Sequence, residues 1–166
     1  MADMTAVMAQ SGTTLAQVSP GGSISGTMHI VTTDGAGPYT AILDPTGTGA
    51  FSTGTKLAVT QQVPGTRGNI AAPKQRSLVA RTLVNLGIVK RASNVNEDYP
   101  FAATVPAGTT CSGTAGGQSG VCLVKIVNPS NAGPFGGVMA MQMATAGAAP
   151  AAAAAPAAAR SAKFRA

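Results

Sequence analysis

Between positions 23 and 31 apolar and polar residues alternate. Ile24, Gly26, Met28 and Ile30 share one face, and Ser23, Ser25, Thr27 and His29 take the other. A period of two marks a half-buried β-strand, because successive side chains leave opposite faces of the pleat. The same reading predicts strands over 39–43, 56–63, 99–105, 121–127 and 138–143. In the 56–63 strand Leu57, Val59 and Val63 point inward. Asp44-Pro45-Thr46-Gly47, Pro64-Gly65 and Pro106-Ala107-Gly108 punctuate these runs as turns. Short strands separated by Gly/Pro turns predict a mainly β protein, an antiparallel β-sandwich.

The periodicity changes over 78–86, where Val79/Leu83 and Ala80/Val84 are spaced by four. That spacing favours a short helix stopped by Gly87, although Val, Thr and Leu also fit a strand. It lies in a basic, irregular insertion spanning about 66–96. Residues 1–19 read as an N-terminal arm, either a short helix or a loose strand, and 20–143 as the sandwich domain. Residues 144–166 form an Ala/Pro low-complexity tail, expected to be disordered because such a segment has too little varied apolar surface to fold alone.

One short motif occurs twice. Ala36-Gly37-Pro38-Tyr39 and Ala132-Gly133-Pro134-Phe135 are each small-Gly-Pro-aromatic. Gly permits unusual φ, Pro locks φ, and the following aromatic can anchor the turn. Gly37, Pro38, Tyr39, Gly133, Pro134 and Phe135 are therefore read as two structural corners of one sandwich.

Composition sharpens this picture. With 21 Gly and 11 Pro in 166 residues, turns are frequent. There is no Trp, with only two Tyr and four Phe, so the core must be aliphatic. The formal charge of +6 resolves into a block (Arg67, Lys74, Arg76, Arg81, Lys90, Arg91) and a tail cluster (Arg160, Lys163, Arg165). Without interleaved aromatics this block reads as a solvated loop or wall-facing patch, not a nucleic-acid surface. No stretch approaches the roughly 18 apolar residues of a membrane span. Met1-Ala2-Asp3-Met4 opens with an acid and no apolar run follows, so no signal peptide is visible, and a complete chain of this kind would be cytoplasmic.

Candidate chemistry is sparse. Cys111 and Cys122 bracket a Gly-rich stretch read as a flexible loop. An oxidised pair there would close a short hairpin, and two free thiols are the alternative. A metal site would need further ligands nearby, and none are spaced for it. His29, the single histidine, is expected to face outward on its strand with no nucleophile pattern beside it. Met139, Met141 and Met143 would share one strand face, where core packing outweighs a soft-metal role. Asp34, Asp44, Glu97 and Asp98 read as turn and surface acids rather than a catalytic pair. Asn128-Pro129-Ser130 fails as a glycosylation acceptor because Pro occupies its middle position. No catalytic, cofactor-binding or metal-ligating residue emerges, and no cofactor is expected.

Several segments together resemble a known family. They are Gly26–Val31 by position, Asp34-Gly35-Ala36-Gly37-Pro38-Tyr39, Gln62-Val63-Pro64-Gly65, Val105-Pro106-Ala107-Gly108-Thr109-Thr110-Cys111, Cys122-Leu123-Val124-Lys125, Ala132 to Gly137 and Gln142-Met143. This set is similar to the fungal appressorium-associated (Gas/Mas-type) cell-surface virulence factors over roughly residues 10–143, the insertion excepted. The resemblance implies a secreted or cell-surface fungal interaction protein linked to host penetration. It is non-catalytic on this reading, with cell-wall polysaccharide or a host surface as partner. It brings no catalytic residues to carry over. Members carry further cysteines near positions occupied here by Ala41, Ile126 and Val138, and a signal peptide and additional sequence before the matching region. On that comparison the chain is an N-terminally truncated copy. The alternative is a remnant of a carbohydrate-active enzyme, copper-oxidative or hydrolytic, whose active site lay in the missing segment.

Overall fold

The computed structural model describes residues 14–70 and 96–144. The helix expected over 78–86, most of the 66–96 insertion, residues 1–13 of the N-terminal arm and all but the first residue of the Ala/Pro tail lie outside these residues. The described chain is mainly β, as the alternation predicts. Its strands are β1 (Ala16–Val18), β2 (Ser23–Ile30), β3 (Thr40–Asp44), β4 (Thr55–Gln61), β5 (Glu97–Thr104), β6 (Gly113–Ala115), β7 (Gln118–Val127) and β8 (Gly136–Met143). Two single-turn 3-10 helices, Thr33–Gly35 and Phe51–Thr53, flank β3.

The strands hydrogen-bond in the order β1-β8-β7-β3-β4-β5-β2, with β6 pairing β7 outside this path. The path folds over on itself. The first half of β4 (Thr55 to Leu57) pairs β3, and its second half pairs β5 from Ala58 onward, so one strand belongs to both layers. A register shift follows within the β4–β5 pairing, between Val59 and Gln61, where a bulge bends the strand and increases its twist. The result is a nearly closed, barrel-like sandwich with a larger layer (β1, β8, β7, β3, β4) and a smaller one (β4, β5, β2). All pairings are antiparallel except the short β1–β8 contact, which is parallel.

The core is aliphatic, as the composition requires. Ile24, Ile30, Ala41, Leu43, Leu57, Val63, Val105, Val124 and Met141 are buried around Tyr39 and Phe101, whose rings meet edge to face at 6.4 Å. Met141 is fully buried and Met139 and Met143 pack partly against the same cluster. The methionine stripe is therefore core packing, where a flexible thioether fills irregular gaps. Ala41 and Ile126, two positions at which the resemblance expects cysteine, are register partners across β3 and β7.

The stretch between the cysteines is not the open loop its glycines suggested. Gly113–Ala115 and the start of β7 form a hairpin joined by Gly116 and Gly117, at φ +57° and +78°. Two successive residues with positive φ give a tight turn that matches strand twist, and Gly adopts it without a Cβ penalty. Cys111 and Cys122 are joined in a disulfide that ties the approach to β6 to the middle of β7.

Candidate functional site

Three sequence segments that are far apart converge at one corner. Ala36 and Gly37 sit inside the loop formed by residues 62–70: Ala36 N–H donates to Gly68 O (3.2 Å), Gly37 N–H to Pro64 O (2.9 Å), and Gly68 N–H to Gly37 O (3.0 Å). Gln62 acts as a one-residue strand. Its Oε1 accepts from Tyr39 N–H at 2.7 Å and its Nε2 donates to Tyr39 O at 2.9 Å. Tyr39 is buried, which pushes its phenol pKa up, and its O–H donates to Gly35 O at 2.6 Å.

Asn128 joins this corner to the second motif. Its Nδ2 donates to Ala36 O (2.9 Å), Asp34 O (3.0 Å) and, more weakly, Gly68 O (3.5 Å). Its Oδ1 accepts from Phe135 N–H at 2.9 Å and from Ser130 N–H at 3.4 Å. Its own backbone N–H donates to Phe135 O. One buried amide thus serves backbone groups of both Gly-Pro-aromatic turns, the arrangement by which buried polar groups escape a desolvation penalty. In the sequence, Asn128 stands out only as a glycosylation acceptor that Pro129 disables. Partners 92 and 94 residues away leave no local trace.

A second anchor sits at the other end of β3. Asp44 is buried, yet its carboxylate accepts from Thr46 N–H and Oγ1, Gly49 N–H and Ala50 N–H. Burial alone would raise its pKa. The hydrogen bonds outweigh that and hold it below the usual carboxylate range. The loop so fixed carries Phe51 onto the outer face of the larger layer, where Lys125 Nζ stands 5.8 Å from the ring centroid.

That outer face also carries a cross-strand row of apolar and basic side chains. Lys56, Ile42, Lys125 and Val138 are successive register partners across β4, β3, β7 and β8, so their side chains leave the same face in one row. Lys56 and Val138 are exposed, and Ile42 and Lys125 are half-buried. A shallow trough of about 170 Å³ runs along Lys125, Val127, Pro134, Gly136, Gly137 and Val138. Phe135 and Val138, at 38% and 52% exposure, are two of the three large exposed apolar residues described; the third, Val31, stands apart.

A second concavity among the described residues is a slit of about 200 Å³ where the two layers fail to close. Ile24, Gly26 and Met28 of β2 line it against Phe101, Ile126 and Met139. On the outer face of the smaller layer, His29 Nδ1 lies 2.8 Å from Asp98 Oδ1, with both side chains largely exposed. His29 is outward as alternation predicts, and Asp98 reaches it because the two are direct register partners. Among the described residues no group of three His, Cys, Asp or Glu is placed to hold a metal ion.

An Egh16-like virulence factor model matches residues 1–136. The appressoria-specific virulence factor GAS1 of Pyricularia oryzae strain 70-15 is 37% identical over 139 residues, covering 84% of this chain and 46% of the relative. GAS2 of the same strain is 36% identical over 126 residues, covering 75% of this chain and 37% of the relative. The chain therefore spans less than half the length of the curated relatives it matches. No solved structure matches it. With the family model covering four-fifths of its length, the chain belongs to the Egh16-like virulence factor family.

Proposed function

We propose that this chain is a secreted or cell-surface interaction module acting in host penetration, and that it works by binding a wall or host surface rather than by catalysis. The observation that carries this reading is the open outer face of the larger layer. Phe135 and Val138 stay exposed beside the trough, although the neighbouring corner has the means to bury an aromatic, as it does with Tyr39. An apolar patch kept at a surface is the usual signature of a contact site. The names of the relatives, appressoria-specific virulence factors, support placing that contact at the fungus–host boundary. No helix among the described residues is long and apolar enough to cross a membrane.

The test is co-sedimentation of the chain with isolated insoluble cell-wall material, with the supernatant assayed for released sugar. Retention of the protein with no soluble oligosaccharide is the expected result. Steady release of sugar by the purified chain would contradict a binding role.

A further inference from the structure

We infer that the outer face of the larger layer recognises an acidic polysaccharide, a polymer of uronic acid residues, with Lys56 and Lys125 pairing its carboxylates. The inference rests on the surface-binding reading above and names the partner of that same face. It stands on charge placement. Of the three cations among the described residues, two, Lys56 and Lys125, share this face and flank Ile42 in one cross-strand row. Two strand spacings separate them, about 10 Å, a span that one intervening sugar ring bridges. Asp44, two residues along β3 from Ile42, is buried beneath its loop with its carboxylate held by four donors. Glu97 and Asp98 belong to β5, in the smaller layer, where Asp98 is engaged with His29. Among the described residues, the charges therefore favour a polyanion on this side of the sandwich over the side that carries Glu97 and Asp98.

The apolar parts select among polyanions. Ile42, Phe51 and Val138 offer a flat aliphatic and aromatic floor to the C–H faces of sugar rings, while the lysines reach the carboxylates at their edges. Phe51 beneath Lys125 holds that ammonium in place before any ligand arrives. Nucleic acid fits less well, since among the described residues this face carries no arginine fork for phosphate and no run of exposed aromatics for base stacking. An anionic bilayer calls for a denser basic cluster around protruding apolar anchors.

The test uses the full chain and soluble polygalacturonate at low salt, with neutral β-glucan, chitin, duplex DNA and phosphatidylserine vesicles as parallel arms. Lys56→Gln/Lys125→Gln keeps the side-chain stems and removes both charges. Arg76→Gln/Arg81→Gln removes the same net charge from the basic block and controls for bulk electrostatics. The uronate polymer should bind and be released by salt, because exposed ion pairs are screened. The lysine pair should lower affinity about tenfold, as for two modest ion pairs, and the arginine pair less than about threefold. Retained melting temperature certifies folding, and Lys125→Arg should keep most of the binding. Equal losses from both pairs, or binding to DNA or vesicles in preference to polygalacturonate, overturn the inference. Retention on neutral glucan or chitin without uronate binding also overturns it but leaves the surface-binding reading standing. Failure on every wall polymer sinks that reading as well.

Discussion

The two Gly-Pro-aromatic turns share a sequence and end in opposite environments. In the first, Ala36, Gly37 and Tyr39 are buried, Tyr39 packs on Phe101, and the 62–70 loop wraps the backbone. In the second, Ala132, Pro134 and Phe135 are exposed and contact with the rest of the molecule runs chiefly through Asn128. The glycines differ in the same sense. A Cβ on Gly37 would lie 1.9 Å from Val63 O, whereas one on Gly133 would meet nothing within 4 Å and only its φ of +135° opposes it. A motif, then, specifies a turn and not its role. What surrounds the turn decides whether its aromatic holds the core or faces a partner.

The largest expected effect comes from breaking the buried corner. Gly37→Ala should cost about 3–5 kcal/mol, since backbone must move to admit the methyl group, and Gly133→Ala only about 1–2 kcal/mol through its φ. Denaturant unfolding of both variants checks this, and equal costs would erase the distinction between the corners. Next comes the link between them. Asn128→Ala leaves buried carbonyls and amides of both turns unpaired and should cost about 3 kcal/mol by the same measurement. A cost below about 1 kcal/mol would mean that the corners stand independently.

Asp44 gives a smaller, pH-dependent reference for a loop held by one side chain. Its folded pKa lies below the unfolded value of 3.8. Its contribution is therefore fully present above the unfolded pKa and is lost as pH falls through the folded one. Asp44→Asn should cost about 1–2 kcal/mol at neutral pH. It should also flatten the loss of stability between neutral and acid pH, which unfolding followed across that range would show.

Much of the fold was legible in the sequence because strand alternation is a local signal. Six strands, the inward Leu57 and Val63 and the outward His29 all follow from it. β1 escaped because three residues, Ala16 to Val18, are too few to show a period, and β6 because glycines hid its hairpin. The site was less legible. Lys56, Ile42, Lys125 and Val138 come from four strands, and only register places them in a row. Asn128 is similar: its chemistry is plain, but its partners are set by the fold. The pairing of Cys111 with Cys122 was readable from their even number and short separation, although the hairpin between them was not.

The smallest expected effect on stability is also the sharpest discriminator between the corners. Phe135→Ala removes a side chain that the fold leaves exposed. Its melting temperature and its retention on insoluble wall material, measured on the same preparation against the unaltered chain, test directly whether the second corner faces a partner. Stability should change by less than about 1 kcal/mol while retention falls severalfold. A markedly lowered melting temperature with undiminished retention would show that Phe135 holds the fold as Tyr39 does, and would contradict the account.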